Sequence, residues 1–284
     1  MNWLKKHFVT LVIVLVFIVG LGLLIYPTFS DWWNSFHQSK IIMDYSETVA
    51  QMDKEDYDRI LKSAKEYNKE LAESGIKWAM SDKEKKEYKK QLSVDKSGVM
   101  GYISIPKIHT KLPIYHGMGE EILQKSIGHI EGSSLPVGGK SSHCIVSGHR
   151  GLPSAKLFTD LDKLKEGDTW TVTVLNETLT YEADKIWIVK PNDLSKLQIK
   201  KGKDLFTLIT CTPYGINTHR LLVRGHRISN LNGDANVIAD AVQIEPVYIA
   251  PFVAAPILLL LVLVVLFRTG RGRKKKHRSK ATGK

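Results

Sequence analysis

"TLITCTPYGINTHRLLVRGHR", Thr207 to Arg227, is two β-rich runs around a turn-forming centre. The run "LFTLITC" stops where "TPYG" forces a turn, and "RLLVRGH" follows, so the segment reads as a pair of antiparallel strands. It holds Cys211, one of 2 cysteines in the chain, and, nine residues on, Arg220. Two strands joined by "TPYGINT" bring the Arg220 guanidinium back beside Cys211. Strand ends next to loops are also where reactive groups become accessible. Three readings of Cys211 stand on the residues alone: a buried free thiol, half of a disulfide with Cys144, or a nucleophile.

Upstream, the same texture extends back to Gly98. "VMGYISI", "KLPIY", "HCIVS", "TWTVTVL", "TLTYEA" and "KIWIVK" join the two runs above as eight short β-rich segments separated by turn residues. That pattern predicts an antiparallel barrel or sandwich. "GEEILQKS" and "SAKLFTDLDKL" read as short helices set into it. No internal repeat and no phosphate-binding glycine loop is present in the sequence.

From Ile41 to about Leu92 the chain is highly charged and lacks glycine and proline until Gly75. Tyr45, Val49 and Met52, then Tyr57, Ile60, Leu61, Ala64, Tyr67 and Leu71, recur at steps of three and four. This is the period of amphipathic helices, two of them, broken near "ESGIKWAMSD". A helical prefix packed on the β domain is preferred over a free partner-binding coil.

Both ends are apolar. Phe8 to Tyr26 is 19 residues without a charge and Val247 to Phe267 is 21, each matching the roughly 20 residues a membrane-crossing helix needs. The globular part therefore lies between them, about Ser30 to Pro246. A cleaved signal peptide competes for the first run, but the run exceeds a usual h-region and no clear small-x-small site follows, so it is read as an uncleaved anchor.

The net charge of +12 is concentrated at the ends: Lys5 and Lys6 precede the first run, and nine basic residues fill Arg268 to Lys284. The middle is near neutral, with 30 basic against 29 acidic residues, which offers no general footprint for nucleic acid. Basic residues flanking the spans place both termini in the cytoplasm and the domain outside, with the tail against anionic lipid.

A cysteine nucleophile needs a group to manage its proton and donors for the developing oxyanion. Of 10 histidines, His149 in "SGHRG" is the one in a glycine-flanked turn directly after a strand run. His219 is near Cys211 in sequence, but a strand follows it directly, which weakens its claim. Arg220 is either a permanent cation serving a thiolate or oxyanion, or an ordinary cross-strand ion pair. Arg224 and Arg227 have weaker claims. No histidine, cysteine and carboxylate cluster has zinc spacing, so no metal site is expected.

Taken together, "TLITC" followed by Arg220, with "SGHRG" upstream, resembles a sortase. "GYISIPKIHTKLPIYHG", "GHIEGSSLPVGGKSSH", "GHRGLPSAKLFTDLDKL" and "TCTPYGINTHRLLVRGHR" look like the class C, pilin-polymerising branch, and the resemblance covers about Val99 to Arg227. It implies a mainly β fold: an eight-stranded sortase-type β-barrel with an N-terminal helical prefix and two flanking transmembrane helices. The divisions are then an anchor at 1–29, the prefix at 30–97, the catalytic barrel at 98–230, a linker at 231–246, a second span at 247–267 and a basic tail at 268–284.

By the same resemblance Cys211 is the nucleophile, His149 the general acid/base and Arg220 the group steadying substrate and oxyanion, with Cys144 left as core. The substrates implied are pilin subunits carrying LPxTG-like sorting signals, cut after threonine and joined to a lysine amine of a second pilin at the membrane, with no cofactor. Class C members usually close the cleft with an Asp-Pro-aromatic lid. This chain has no proline between Pro27 and Pro106, so Trp78 in "IKWAMSD" is the candidate replacement. The competing functions are a sortase that anchors proteins through a peptidoglycan amine, a thiol protease using water, and a non-catalytic, membrane-tethered assembly protein.

Overall fold

The computed structural model describes residues 2–230. The expected linker 231–246, the span 247–267 and the tail 268–284 lie outside the described residues. The described chain divides at Trp32 and Trp33 into two units, an apolar N-terminal one and a larger one that contains the barrel.

Helix α1 runs from Asn2 to Ala50 without a break, carrying Pro27 inside it. There is thus no element boundary at residues 29–30; the apolar run and the first part of the prefix are one helix. From Phe8 it is long and apolar enough to cross a membrane, and it is the one such helix among the described residues. The prefix continues as α2 (Lys54–Ser74) and α3 (Asp82–Lys90). Asp53 caps α2 by accepting from the Asp56 amide, and Ser81 with Glu84 forms a reciprocal capping box on α3. Both satisfy amides that a helix start leaves orphaned. The prefix therefore holds three helical segments rather than two, with the expected break near Gly75 present and a second one at residues 51–53.

The barrel strands are β1 (Val99–Ile105), β2 (Thr110–His116), β3 (Ile127–His129), β4 (Ser142–Ser147), β5 (Thr169–Val174), β6 (Glu177–Val189), β7 (Asp204–Thr212) and β8 (His219–Ile228). They close in the order β1-β2-β3-β4-β7-β8-β6-β5, which leaves no free sheet edge. Two expectations are corrected. The barrel is mixed, because β2 pairs with β3 and β4 with β7 in parallel. "TLTYEA" and "KIWIVK" form one strand, β6, while the eighth strand is the three-residue β3, too short to show a pattern.

"GEEILQKS" does contain a short helix, α4 (Glu120–Leu123), but "SAKLFTDLDKL" is mostly turn with a single 3-10 turn at Leu161–Lys163.

Alternate residues fill the barrel. Trp170, Tyr181 and Phe206 pack against one another in the core with ring centroids 5.2 to 6.4 Å apart. Burying each such ring is worth about 1.5–3 kcal/mol. Gly225 passes so close that a Cβ there would lie 2.5 Å from the Trp170 ring. The prefix is pinned by polar contacts as well as by packing. The Tyr45 hydroxyl donates to the Met100 carbonyl and accepts from the Leu175 amide, and Asn68 bonds Leu135 through both amide atoms.

Candidate active site

Alternation along β7 sends Phe206 and Leu208 into the barrel and Thr207, Ile209 and Cys211 to its outer face. Cys211 is the penultimate residue of the strand, half-buried, where the chain turns at Pro213. On one side it faces Arg220 of β8, its direct antiparallel partner. On the other side the parallel β4–β7 register runs to Ser147 opposite Ile209. It is then extended by the Gly148 amide donating to the Ile209 carbonyl (3.1 Å) and the Thr210 hydroxyl donating to the Gly148 carbonyl (2.8 Å).

That register sets His149 level with Cys211. Three half-buried residues, His149, Cys211 and Arg220, thus occupy one level on neighbouring chains, and adjacent strands lie about 4.8 Å apart. His219 pairs with Thr212 and by alternation belongs to the opposite face from Cys211. Its ring is engaged by Thr218.

The Arg220 guanidinium donates to the carbonyls of Asn217 (3.2 Å) and His219 (3.1 Å), against the β7–β8 turn. No carboxylate pairs with it among the described residues, so the reading of Arg220 as a cross-strand ion pair fails. Arg224, four residues along on the same face, is the ion-paired one. The β-bulge at Asp184 turns that carboxylate onto it in a two-pronged contact (2.9 and 2.7 Å), and the guanidinium lies 4.9 Å from the Trp187 ring centroid. Arg227 is held by Thr180 and Asn230.

Below this level the outer face is apolar. Ile145, Ile209, Leu222 and Val189 cluster with Leu197 of the β6–β7 connection. The connection is fastened by His143, whose Nδ1–H donates to the Gln198 carbonyl (3.0 Å) while Nε2 accepts from the Thr207 hydroxyl (2.7 Å). Burial pushes this imidazole down to about 4, so it stays neutral and keeps that donor and acceptor arrangement.

The prefix reaches the same floor, through Ile76, which packs against the cluster, while the Lys77 amide donates to the Gly132 carbonyl (3.0 Å). Trp78, two residues on, is 37 % exposed and is not part of the packed cluster. Sequence reasoning did not pick out Ile76, Leu194 or Leu197, because isolated apolar residues in charged or turn-rich segments carry no period.

Both cysteines are free. Cys144 points into the barrel opposite Phe206, and burial pushes its thiol well up. The disulfide reading therefore falls. Among the described residues His149 forms no ion pair with a carboxylate, and no cluster of histidine, cysteine and carboxylate side chains is placed to hold a metal ion.

A cysteine on the outer face at a strand end, level with a histidine and with an arginine that has no carboxylate partner among the described residues, beside an apolar floor, suits acyl transfer from a peptide carbonyl. Comparison with known proteins points the same way. Residues 103–228, from within β1 to the end of β8, match the family model described as the Sortase domain. Sortase A of Staphylococcus aureus is 35% identical over 153 residues, which is 52% of this chain and 72% of that protein.

The crystal structure of sortase C1 from Streptococcus agalactiae shares 64% identity, covers 68% of this chain and 100% of its own, and superposes with a TM-score of 0.67. Sortase C of Clostridium perfringens, solved with the C-terminal cell wall sorting motif, is 42% identical over 67% of this chain and 99% of its own, with a TM-score of 0.60. With barrel, domain match and relatives in agreement, the chain belongs to the sortase family of cysteine transpeptidases.

Proposed function

We propose that this sortase polymerises pilins. Cys211 is its nucleophile, His149 its acid/base and Arg220 its oxyanion and substrate clamp. The observation that carries the assignment is the shared level of His149, just beyond the end of β4, with Cys211 on β7 and Arg220 on β8. The likeness to class C sortases supports the pilin branch.

In the reaction the Cys211 sulfur attacks the carbonyl carbon of the threonine in an LPxTG-like signal. The oxyanion that forms faces the Arg220 cation, which can turn from its two carbonyl contacts without abandoning a carboxylate. His149 takes the proton of the Cys211 thiol and gives it to the departing amine as the peptide bond breaks, leaving a thioester on Cys211. A lysine amine of a second pilin, losing its proton to His149, then attacks the thioester carbon. The new amide bond forms, and the Cys211 sulfur leaves. Thioester to amide is downhill, so the sequence of steps balances without a cofactor. The apolar α1 anchors the enzyme, and the apolar floor beneath Cys211 is suited to the leucine and proline side chains of the signal.

The test is intact mass of the full-length protein in detergent after exposure to LPxTG-like peptides. A peptide-acyl adduct is expected in the native protein and absent from Cys211→Ala, and addition of a lysine-bearing pilin should discharge it at least about tenfold faster than a peptidoglycan amine. An adduct that survives in Cys211→Ala removes the nucleophile assignment, and faster discharge by the wall amine removes the pilin reading. The same assay on Trp78→Ala reads the lid: faster adduct formation is expected of a plug, and an unchanged rate takes Trp78 out of that role.

A further inference from the structure

We propose that Arg150 is a positioning residue, a clasp that holds the His149 loop against the end of β7 and so sets the separation of His149 from Cys211. The inference rests on the roles proposed above for those two residues.

The last ladder contacts between the β4 chain and β7 are those at Gly148, one residue short of His149. Beyond them the chain departs into a long connection, and a side chain at the start of such a connection has no strand to fix it. Arg150 supplies the missing tie. Its side chain is 9 % exposed; one terminal nitrogen, Nη1, donates to the Thr212 hydroxyl (3.3 Å), and the other, Nη2, is ion-paired with Asp162 on the 3-10 turn that closes the connection. The clasp therefore joins the neighbour of His149 to the neighbour of Cys211.

Three more contacts tighten the same loop. The Phe158 amide donates to the His149 carbonyl (3.2 Å), the Gly151 amide donates to the Thr159 hydroxyl (3.1 Å), and the Tyr214 ring lies 5.9 Å from the Arg150 guanidinium. Gly151 has φ +76, and a Cβ there would come within 2.9 Å of Tyr214, so the ring rests directly on the loop backbone.

The charges agree with this division of labour. Asp162 neutralises Arg150 and leaves Arg220 as the cation beside Cys211 with no carboxylate of its own among the described residues. A planar guanidinium can hold Thr212 and Asp162 at once because its donors diverge in a fixed fork, which a lysine ammonium lacks. Misplacing a catalytic group by about 1 Å can cost about 100-fold in rate. A bridge between the two neighbouring residues is placed to prevent that.

The experiment compares Arg150→Lys, Thr212→Val and the double variant in the full-length protein in detergent, with Asp162→Asn at the more exposed end of the clasp as a further variant. Each single change should lower kcat for peptide cleavage at least about tenfold with KM within about twofold, and the double variant should be no slower than the worse single one. The pH profile for alkylation of Cys211 by a small reagent should move with the loss, while the melting temperature stays within a few degrees.

If Arg150→Lys or Thr212→Val unfolds the chain, Asp162→Asn must show the same kcat loss and moved profile. Wild-type kcat and an unmoved pH profile in folded variants overturn the clasp, as do losses that multiply in the double variant. His149→Ala separates the two levels: if it keeps wild-type adduct formation, the assignment of His149 fails. If it is inactive while the clasp variants are normal, the clasp alone fails.

Discussion

The two thiols show how one side chain acquires opposite properties from its surroundings. Cys144 lies inside the barrel, and desolvation there disfavours its thiolate, the form that reacts. Cys211, on the outer face and half-buried, meets solvent beside a cation. Brief alkylation of the folded protein near pH 8 is therefore expected to modify Cys211 at least about tenfold faster than Cys144, with Cys144 labelled only after unfolding. Peptide mapping by mass reads the result, and equal labelling in the folded state would remove this account of the two sites. Cys211 and Arg220 were legible in the sequence because two strand-like runs around a short turn fix which residues lie opposite. His149 was legible as a glycine-flanked turn residue, but its register with Cys211 was not, since that depends on a parallel pairing between segments about 60 residues apart.

Among the elements, two buried histidines carry the docking of α3 and of the β6–β7 connection. Tyr88 of α3 donates its hydroxyl proton to His129 Nδ1 (2.8 Å) and accepts from the Gly117 amide (3.1 Å), while His129 Nε2–H donates to the Ser134 carbonyl (2.9 Å). Burial pushes His129, like His143, down from 6.5 to about 4. Both rings are neutral in the folded chain and each needs one nitrogen as an acceptor.

Between pH 6.5 and 4 the unfolded chain binds protons that the folded chain does not. Their stabilisation is full above about pH 6.5 and falls by up to about 3 kcal/mol per histidine as pH drops through the folded values. Urea midpoints measured from pH 7 to 4 should therefore decline, and His143→Gln should have a shallower decline. Equal slopes in the two proteins would remove His143 from the acid response. Seven of the eight strands were visible as β-rich runs, though one was split in two, whereas β3 has three residues and no pattern to detect. The turn at Leu161–Lys163 misled because "LFTDLDKL" has helical spacing that closure of the His149 loop overrides.

At the scale of the whole molecule, the chain combines a mixed barrel, a helical prefix packed against it and an apolar N-terminal helix. The expected second span at 247–267 carries a prediction. Deleting either apolar run alone should leave the protein in the membrane fraction after an alkaline wash, and deleting both should release it. Release on loss of residues 1–29 alone would remove the second anchor. By itself the sequence determined the β-rich domain, the helical prefix, the apolar first helix and the placing of Arg220 opposite Cys211 on a hairpin. All of these are local signals: period, turn chemistry and a hairpin's forced register. Only the tertiary structure decided that the barrel is mixed, that His149 reaches the level of Cys211, that Arg224 is ion-paired, and that Arg150 ties the His149 connection to the end of β7. Those are contacts between segments far apart in the chain, and they are set by barrel closure, for which no local pattern exists.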